Sequence, residues 1–331
     1  MDNSWSGKKV LVTGAGGFIG SHLVEKLVAS GASVRAFVRY NSRGDPGMLR
    51  WAGHDTISRL ELLGGDLRDQ DAVRKAVEGC QVVFHLGALI SIPYSYVHPA
   101  EVAETNLIGT LNVLLACRSV GVERLVHTST SEVYGTAQRV PIDEGHPLHA
   151  QSPYSASKIG ADKLAESFYC SYELPVVTVR PFNTFGPRQS ARAVIPAIIT
   201  QALGNQTIRL GNLDATRDFT YVDDTIDGFL CAAVAPGIEG QAFNLGTGQE
   251  ISIGDLAEKI LEKTGSQAMI SLDPARLRPQ ASEVRRLLSN NSQARRCLGW
   301  EPCVDFEDGL DRTIAWIKEN LDHYRVGIYE F

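Results

Sequence analysis

None of the six cysteines, Cys80, Cys117, Cys170, Cys231, Cys297 and Cys303, stands at a CxxC or metal-ligand spacing from another. A disulfide framework and a cysteine metal site are therefore not expected, and the thiols read as reduced residues of a cytosolic protein. No apolar run approaches the roughly 18 residues of a membrane span, and the stretch from Met1 to Lys9 enters the first strand without an apolar signal region. A soluble, cytoplasmic protein with no membrane partner is expected. Basic residues are in deficit: 32 Lys and Arg against 38 Asp and Glu give a net charge of -6. That leaves no basic stripe of the kind that tracks nucleic acid, although a local pocket of arginines can still hold a small phosphate ligand. Repeats, low-complexity tracts and an evident flexible linker are also missing.

What is present is a chain of 331 residues, 44% hydrophobic, long enough to bury one large core or two closely packed ones. Lys9–Thr13 is a β-branched run fit for a buried parallel strand, and it leads directly into Gly14-Ala-Gly-Gly17-Phe18-Ile19-Gly20. Ile19, Leu23 and Leu27, widened by Val24 and Val28, make a helical stripe that Gly31 stops. Strand, glycine turn and helix compose a dinucleotide-binding unit: Gly14 permits the tight turn, Gly17 admits a pyrophosphate to the backbone, and Gly20 lets the helix pack closely. A glycine-rich turn without a ligand is the alternative.

The second strand, Ser33–Val38, would ordinarily end in an acidic residue that binds the ribose 2′-hydroxyl. Arg39 stands there, followed by Asn41, Ser42 and Arg43, which favours a 2′-phosphate and hence NADP over NAD. Arg39 can equally be a solvated surface residue. A third strand near 60–63 leads through Asp66, placed to accept from the adenine amino group, and Leu67 to a helix capped by Asp69. The fourth, near 81–86, ends in Leu86, Gly87 and Ala88, small enough for a cofactor to lie against the backbone. Helix 101–119, strand 122–129 with Thr128 near its end, helix 153–173 and strand 175–180 continue the alternation, and the fold class follows: α/β, a doubly wound parallel Rossmann sheet. Beyond Arg180 the pattern loosens into loops carrying Asn183, Arg188 and Arg217, residues suited to clamping a diphosphate or simply to a charged surface. A strand near 242–246 and helices near 253–264, 291–298 and 305–321 follow. The expected partition is a dinucleotide-binding domain over 1–180 with a return at about 218–248, and a smaller interleaved α+β domain over 181–217 and 249–331.

Tyr154-Ser-Ala-Ser-Lys158 places a phenol and an ammonium four residues apart, on one face of a helix. Lys158 is thus expected to pull the Tyr154 pKa down toward working pH and make it a general base. With the glycine loop, Asp66, this pair and the arginine loops in place, the chain resembles the extended short-chain dehydrogenase/reductase superfamily over nearly its whole length. Thr130-Ser131-Glu132 followed by Val-Tyr-Gly resembles the signature of nucleotide-sugar 4,6-dehydratases, in the Ser form seen in GDP-mannose dehydratases; 4-epimerases typically have no Glu here. Leu210 to Asp214, Arg217-Asp218 and Arg278-Pro279 resemble the same pattern, and Glu283 follows after two extra residues. The stretches Ile92–Tyr96 and Arg180 to Pro196 look most like the dehydratase of the legionaminic-acid pathway, which acts on GDP-N-acetylglucosamine.

The resemblance implies a reaction and roles. The C4 hydroxyl is oxidised first, because the ketone acidifies the C5 proton and makes loss of the C6 hydroxyl feasible. Tyr154, with Thr130 holding the C4 oxygen, takes the hydroxyl proton; Lys158 sets the tyrosine pKa and orients the ribose; Glu132 removes the C5 proton, and Ser131 or Glu132 assists departure of water. Glu132 as a strand-end salt-bridge partner, and Thr130 and Ser131 as ordinary strand-end hydroxyls, are the structural alternatives. Cofactor contacts are implied for Gly14, Gly17, Phe18, Ile19, Gly20, Arg39, Asp66, Leu67, Leu86, Gly87, Ala88, Asn106 and Thr128, with Asn106 supporting the helix and the lysine. Substrate contacts are implied for Ser91, Asn183, Arg188, Val194, Arg217 and Arg278; no metal is expected. The implied cofactor is NADP or NAD, tightly bound and regenerated each turnover, and the implied partner is a nucleotide-diphosphate sugar. Helices 101–119 and 153–173 are expected to pair across a homodimer as a four-helix bundle. The rivals are a UDP-glucuronate decarboxylase, a 4-epimerase and, in another class, a non-catalytic dinucleotide sensor.

Overall fold

The computed structural model of the protein describes residues 5–328; residues 1–4, where the segment preceding the first strand begins, and 329–331 lie outside the described residues. The strands are β1 (Lys9–Thr13), β2 (Ser33–Arg39), β3 (Glu61–Gly65), β4 (Val82–His85), β5 (Arg124–Thr128), β6 (Val176–Pro181), β7 (Asn183–Phe185), β8 (Thr207–Leu210), β9 (Thr216–Arg217), β10 (Phe219–Tyr221), β11 (Ala242–Leu245), β12 (Ile251–Ser252) and β13 (Met269–Leu272). The helices are α1 (Phe18–Ala29), α2 (His54–Ser58), α3 (Gln70–Val77), α4 (Ile92–Val97), α5 (Pro99–Ala103), α6 (Gly109–Val120), α7 (Pro153–Tyr172), α8 (Val194–Gly204), α9 (Val222–Val234), α10 (Ile253–Thr264), α11 (Ser292–Leu298) and α12 (Phe306–Glu319).

Seven strands pair in the order β11-β6-β5-β4-β1-β2-β3, every pair parallel. Buried on both faces, β4 reads Val-Val-Phe-His and β6 Val-Val-Thr-Val-Arg-Pro, the near-continuous apolar run that a covered parallel strand requires. Strand order reverses between β1 and β4, whose carboxyl ends meet at the pair Thr13 and His85. A ligand crevice opens at such a reversal, outside the strand ends.

Each face of the sheet has its own core. On one side Leu11, Val83 and Leu125 pack against Val73, Leu114 and Phe168 from α3, α6 and α7. On the other, Leu23, Leu27 and Phe229 from α1 and α9 cover Val12 and Phe84, and the same cluster runs on into Ile198, Leu256 and Ile314 of α8, α10 and α12. The C-terminal helices thus share apolar contacts with the sheet rather than building a detached core. Strand β11 joins the sheet beside β6, and α9 packs on β5 and β6.

The helix expected over 101–119 has an interruption. A π turn, Glu104–Ile108, joins α5 to α6, where the Thr110 hydroxyl donates to the Asn106 carbonyl (2.6 Å) and the extra residue turns Asn106 into the interior, 1% exposed. Single π turns of this kind mark functional sites often.

Candidate active site

The glycine turn is built so that two loops can touch. Gly14 has φ +68°, and a Cβ there would lie 2.7 Å from the Gly87 nitrogen; one on Gly20 would lie 2.2 Å from the Gly14 carbonyl oxygen. Gly14 therefore serves the contact between the β1 and β4 loops as well as the turn, and Gly20 seats α1 on that turn. Gly17 caps α1 without a side chain, leaving the first N–H groups of the helix directed at the crevice, as a pyrophosphate requires. A chain of hydrogen bonds holds the β4 loop. The Gly87 N–H donates to Thr13 Oγ1 (3.1 Å), Thr13 donates to His85 Nδ1 (2.8 Å), and His85 Nε2 donates to Thr110 Oγ1 (3.0 Å). Since Thr110 gives its own proton to Asn106, this order fixes the His85 tautomer, and burial holds the ring neutral by keeping its pKa well below 6.5. Leu67, Leu86 and Ala88 line the same strand ends, partly or fully buried, and the Thr128 hydroxyl is buried with no protein partner, a polar atom aimed at a ligand. Glycine cradle, bare helix end and orphaned hydroxyl fit a dinucleotide.

At the adenosine end the carboxylate of Asp66 accepts from Arg68 N (2.9 Å), Nε (3.0 Å) and Nη2 (2.7 Å). The Arg68 guanidinium holds the Asp66 pKa down at about 2. Arg39, with 65% of its side chain exposed, pairs with Glu101 at 3.3 Å, and Glu101 also accepts from the Tyr94 hydroxyl (2.5 Å). Asp69 caps α3 through Asp71 N and Ala72 N.

Helix α7 carries both Tyr154 and Lys158. Ser152 caps it with a reciprocal Ser155 bond and Pro153 starts it, so Tyr154, Lys158 and Asp162 fall one turn apart on a buried face. Such a stripe is stable only if every polar end has a partner. The Lys158 ammonium donates to the Thr128 carbonyl (2.5 Å). Asp162 accepts from His127 Nε2 (3.2 Å), Ser129 Oγ (2.9 Å) and Arg180 Nε and Nη2 (3.1 and 3.0 Å). Arg180 in turn donates to the Tyr134 hydroxyl (2.9 Å), which donates to Asn244 Oδ1 (2.7 Å). Burial alone would raise the Asp162 pKa, but His127, Arg180 and Ser129 outweigh it and keep the carboxyl ionised. The sequence carries one signal of this network, an acid placed one turn beyond Lys158 on a face otherwise made for burial.

Two expectations are corrected here. Burial, the largest effect, pushes the Tyr154 phenol above 10 rather than below it, and the Glu132 charge adds to the rise against a hydrogen bond from Thr130. The ammonium of Lys158 is directed at Thr128, and burial lowers its own pKa to about 8. Asn106 does not reach Lys158: it accepts from Leu89 N (2.7 Å) and donates to Leu89 O (2.9 Å) and Ser157 Oγ (3.0 Å), so its support passes through Ser157 to the helix. A pH dependence follows. If the Lys158 ammonium holds the cofactor ribose, dinucleotide affinity is full below pH 8 and declines as the pH rises through it, because the lysine loses its proton there. Titration of the dinucleotide at pH 7 and 9 into wild type and Lys158→Met checks this; equal wild-type affinity at both would contradict it.

Opposite α7, Thr130 is extended and caps the turn Ser131–Tyr134 through Glu132 N (3.2 Å). The turn lifts the Glu132 carboxylate, 13% exposed, toward Arg278 Nη1 at 3.7 Å. Glu132 is also near enough to act on the charges of Tyr154 and Arg217, and Arg217, buried, pairs with Glu283 at 3.7 Å. Thr130, Glu132, Tyr154, Lys158, Arg217, Arg278 and Glu283 are therefore brought to one place, with Ser131 buried beneath. Asn183 begins β7 and its side-chain oxygen is buried without a protein partner. Ser91 caps α4 and Val194 opens α8. Arg188 is elsewhere. Its guanidinium meets Glu25 (2.5 Å), Ser21 Oγ (3.4 Å) and Trp51 O (3.3 Å), tying its loop to α1, because its backbone adopts φ +70° and turns the side chain toward the dinucleotide domain.

The family model for GDP-mannose 4,6 dehydratase matches residues 11–313. The chain is 35% identical to UDP-glucose 4-epimerase of Mycolicibacterium smegmatis, over 94% of this chain and 98% of that one. It is 33% identical to UDP-glucuronic acid decarboxylase 1 of Xenopus tropicalis, over 96% of this chain and 73% of the relative. Among solved structures it resembles dTDP-glucose 4,6-dehydratase of Streptomyces venezuelae, determined with NAD bound, at TM-score 0.86 and 31% identity over 96% and 99% of the two chains.

Proposed function

Because this chain belongs to the GDP-mannose 4,6-dehydratase-like family of extended short-chain dehydrogenase/reductases, which holds nucleotide-sugar dehydratases, epimerases and decarboxylases, we propose that it is a nucleotide-sugar 4,6-dehydratase. Its substrate in this reading is GDP- or UDP-N-acetylglucosamine. The observation that carries the proposal is the Glu132 carboxylate beside Tyr154 and Thr130. Epimerisation at C4 needs oxidation, rotation and reduction, none of which uses a second acid or base; elimination across C5 and C6 does.

The bound oxidised dinucleotide supplies a hydride acceptor at C4 and a positive charge in the site. Thr130 is placed to hold the C4 oxygen against Tyr154, whose phenol, raised by burial, would be made a base by that charge, with Lys158 one turn away orienting the ribose. Glu132 takes the C5 proton once C4 is a ketone, while Ser131 or Glu132 protonates the departing C6 hydroxyl; hydride then returns to C6 and a proton to C5. The product is a 4-keto-6-deoxy sugar, one water lighter than the substrate. Arg217, Arg278 and Asn183 are the proposed diphosphate and nucleoside ligands, with Ser91 and Val194 at the pocket edge. A panel of nucleotide sugars analysed by mass spectrometry tests this: loss of water supports it, and a product of unchanged mass contradicts it. A second reading, decarboxylation of UDP-glucuronate, is favoured by Arg278, a cation beside Glu132 able to meet a C6 carboxylate, and would appear as loss of carbon dioxide. A dinucleotide sensor is disfavoured by the presence of both Tyr154 and Lys158.

The cofactor is NAD or NADP, with NADP favoured by Arg39. Releasing Arg39 from Glu101 to a 2′-phosphate makes a charge-assisted bond, so Arg39→Ala is expected to weaken NADP roughly 10- to 100-fold and leave NAD unchanged. Calorimetry with both cofactors checks it; protein that retains NAD and shows no change for either is the contrary result. A homodimer through α6 and α7 is proposed from the exposed Ile108, Tyr169 and Tyr172, and a monomer by light scattering at micromolar concentration would remove it. No helix among the described residues is long and apolar enough to cross a membrane.

A further inference from the structure

Between the catalytic loop and the arginine segment runs a hydrogen-bond chain that the proposed reaction does not use. The Ser282 hydroxyl donates to the Gln151 carbonyl. It has one proton to give, so at its 2.6 Å contact with Tyr96 the phenol is the donor and the chain runs in one direction, Tyr96 to Ser282 to Gln151. The Gln151 side chain is a junction as well: Oε1 accepts from Thr136 N (2.5 Å), and Nε2 donates to Ala281 O (2.9 Å) and Glu283 O (3.3 Å).

Each end of this chain touches catalytic machinery. Gln151 precedes Ser152, the cap of the helix that carries Tyr154. Thr136 follows the turn that carries Glu132. Tyr96 packs against the apolar cluster of Ile92, Val102 and Tyr154. The anchored residues 281–283 follow Arg278, which reaches Glu132, and end in Glu283, which reaches Arg217, each at 3.7 Å. Segment 273–283 holds only short 3-10 turns, so its place over the catalytic loop depends on contacts with the rest of the chain, and the two ion pairs at 3.7 Å contribute little to it. We propose that Tyr96, Gln151 and Ser282 form a latch that fixes this segment over the catalytic loop and so sets where Arg278 and Glu283 stand. They are positioning residues, acting through Arg278 and Glu283 on the nucleotide end of the substrate. The proposal rests on the reading of this site as a nucleotide-sugar site.

Calorimetric titration of UDP, GDP and dTDP into the cofactor-loaded protein tests it, together with KM and kcat for any nucleotide sugar that wild type turns over. Tyr96→Phe, which keeps the ring and removes one hydroxyl, and Ser282→Ala should each weaken the bound diphosphate roughly 3- to 10-fold, the worth of one neutral hydrogen bond. KM should rise by the same factor while kcat stays within about 3-fold. The double variant should be no worse than either single one, because both hydroxyls are links of one chain, and Ser282→Thr should restore affinity. Unchanged affinity, additive losses, or a fall in kcat at constant KM would overturn the latch; Tyr96→Phe carries the test alone if Ser282→Ala fails to fold. Wild-type protein that binds none of the three diphosphates contradicts the reading of the site itself, and the latch with it.

Discussion

Tyr154→Phe is expected to lower turnover roughly 10²- to 10⁴-fold, the usual worth of a positioned acid or base, and to show no reduced nicotinamide when sugar is added. The phenol is buried, meets the Thr130 hydroxyl and sits one turn from Lys158. Loss of its oxygen removes the acceptor for the C4 hydroxyl proton while the ring still fills its place against Ile92 and Val102. Folding and dinucleotide binding should therefore persist. Stopped-flow absorbance of the cofactor checks the first step directly: reduction at the wild-type rate would mean that another group takes the proton, and the role assigned to Tyr154 would be wrong.

How much of this was legible in the chain depended on the distance over which a signal acts. Tyr154 and Lys158 are neighbours on one helix turn, and the glycines from Gly14 to Gly20 serve one turn, so local spacing reveals both. The sheet follows from alternating apolar runs in the same way. Arg188 misleads for the opposite reason. Its loop composition suits a phosphate ligand, but a left-handed backbone turns it toward Glu25, 163 positions away. The pKa of Tyr154 reverses because the sequence displays the nearby ammonium and not the burial. Asp162, Arg180, Tyr134 and Asn244 meet only once α7, β6, the turn Ser131–Tyr134 and β11 are assembled. Ser282 lies in the stretch between Arg278-Pro279 and Glu283 where this chain departs from the pattern it resembles. There it lies beside Glu283, whose carboxylate pairs with Arg217.

Under the proposed function, the arrangement around Glu132 divides the reaction into two halves. In this reading Thr130, Tyr154 and Lys158 serve the oxidation at C4. Glu132 is nearly enclosed, pairs with Arg278, acts on the buried Arg217, and stands close enough to raise the phenol pKa; in the proposed reaction it takes the C5 proton. Its removal should separate the two halves of the reaction. Glu132→Gln keeps the shape and the hydrogen-bonding reach but cannot accept the C5 proton, so oxidation at C4 survives while elimination stalls. Turnover to the 4-keto-6-deoxy sugar should fall roughly 10²- to 10⁴-fold.

The deciding measurement mixes Glu132→Gln protein, loaded with oxidised cofactor, with a nucleotide sugar that wild type dehydrates, and follows cofactor absorbance and product mass in the same sample. The account predicts that reduced nicotinamide builds up to a large fraction of the enzyme while almost no dehydrated sugar forms. Dehydration at near the wild-type rate, with no reduced cofactor accumulating, would make Glu132 a structural residue and contradict the assignment of this site to 4,6-dehydration.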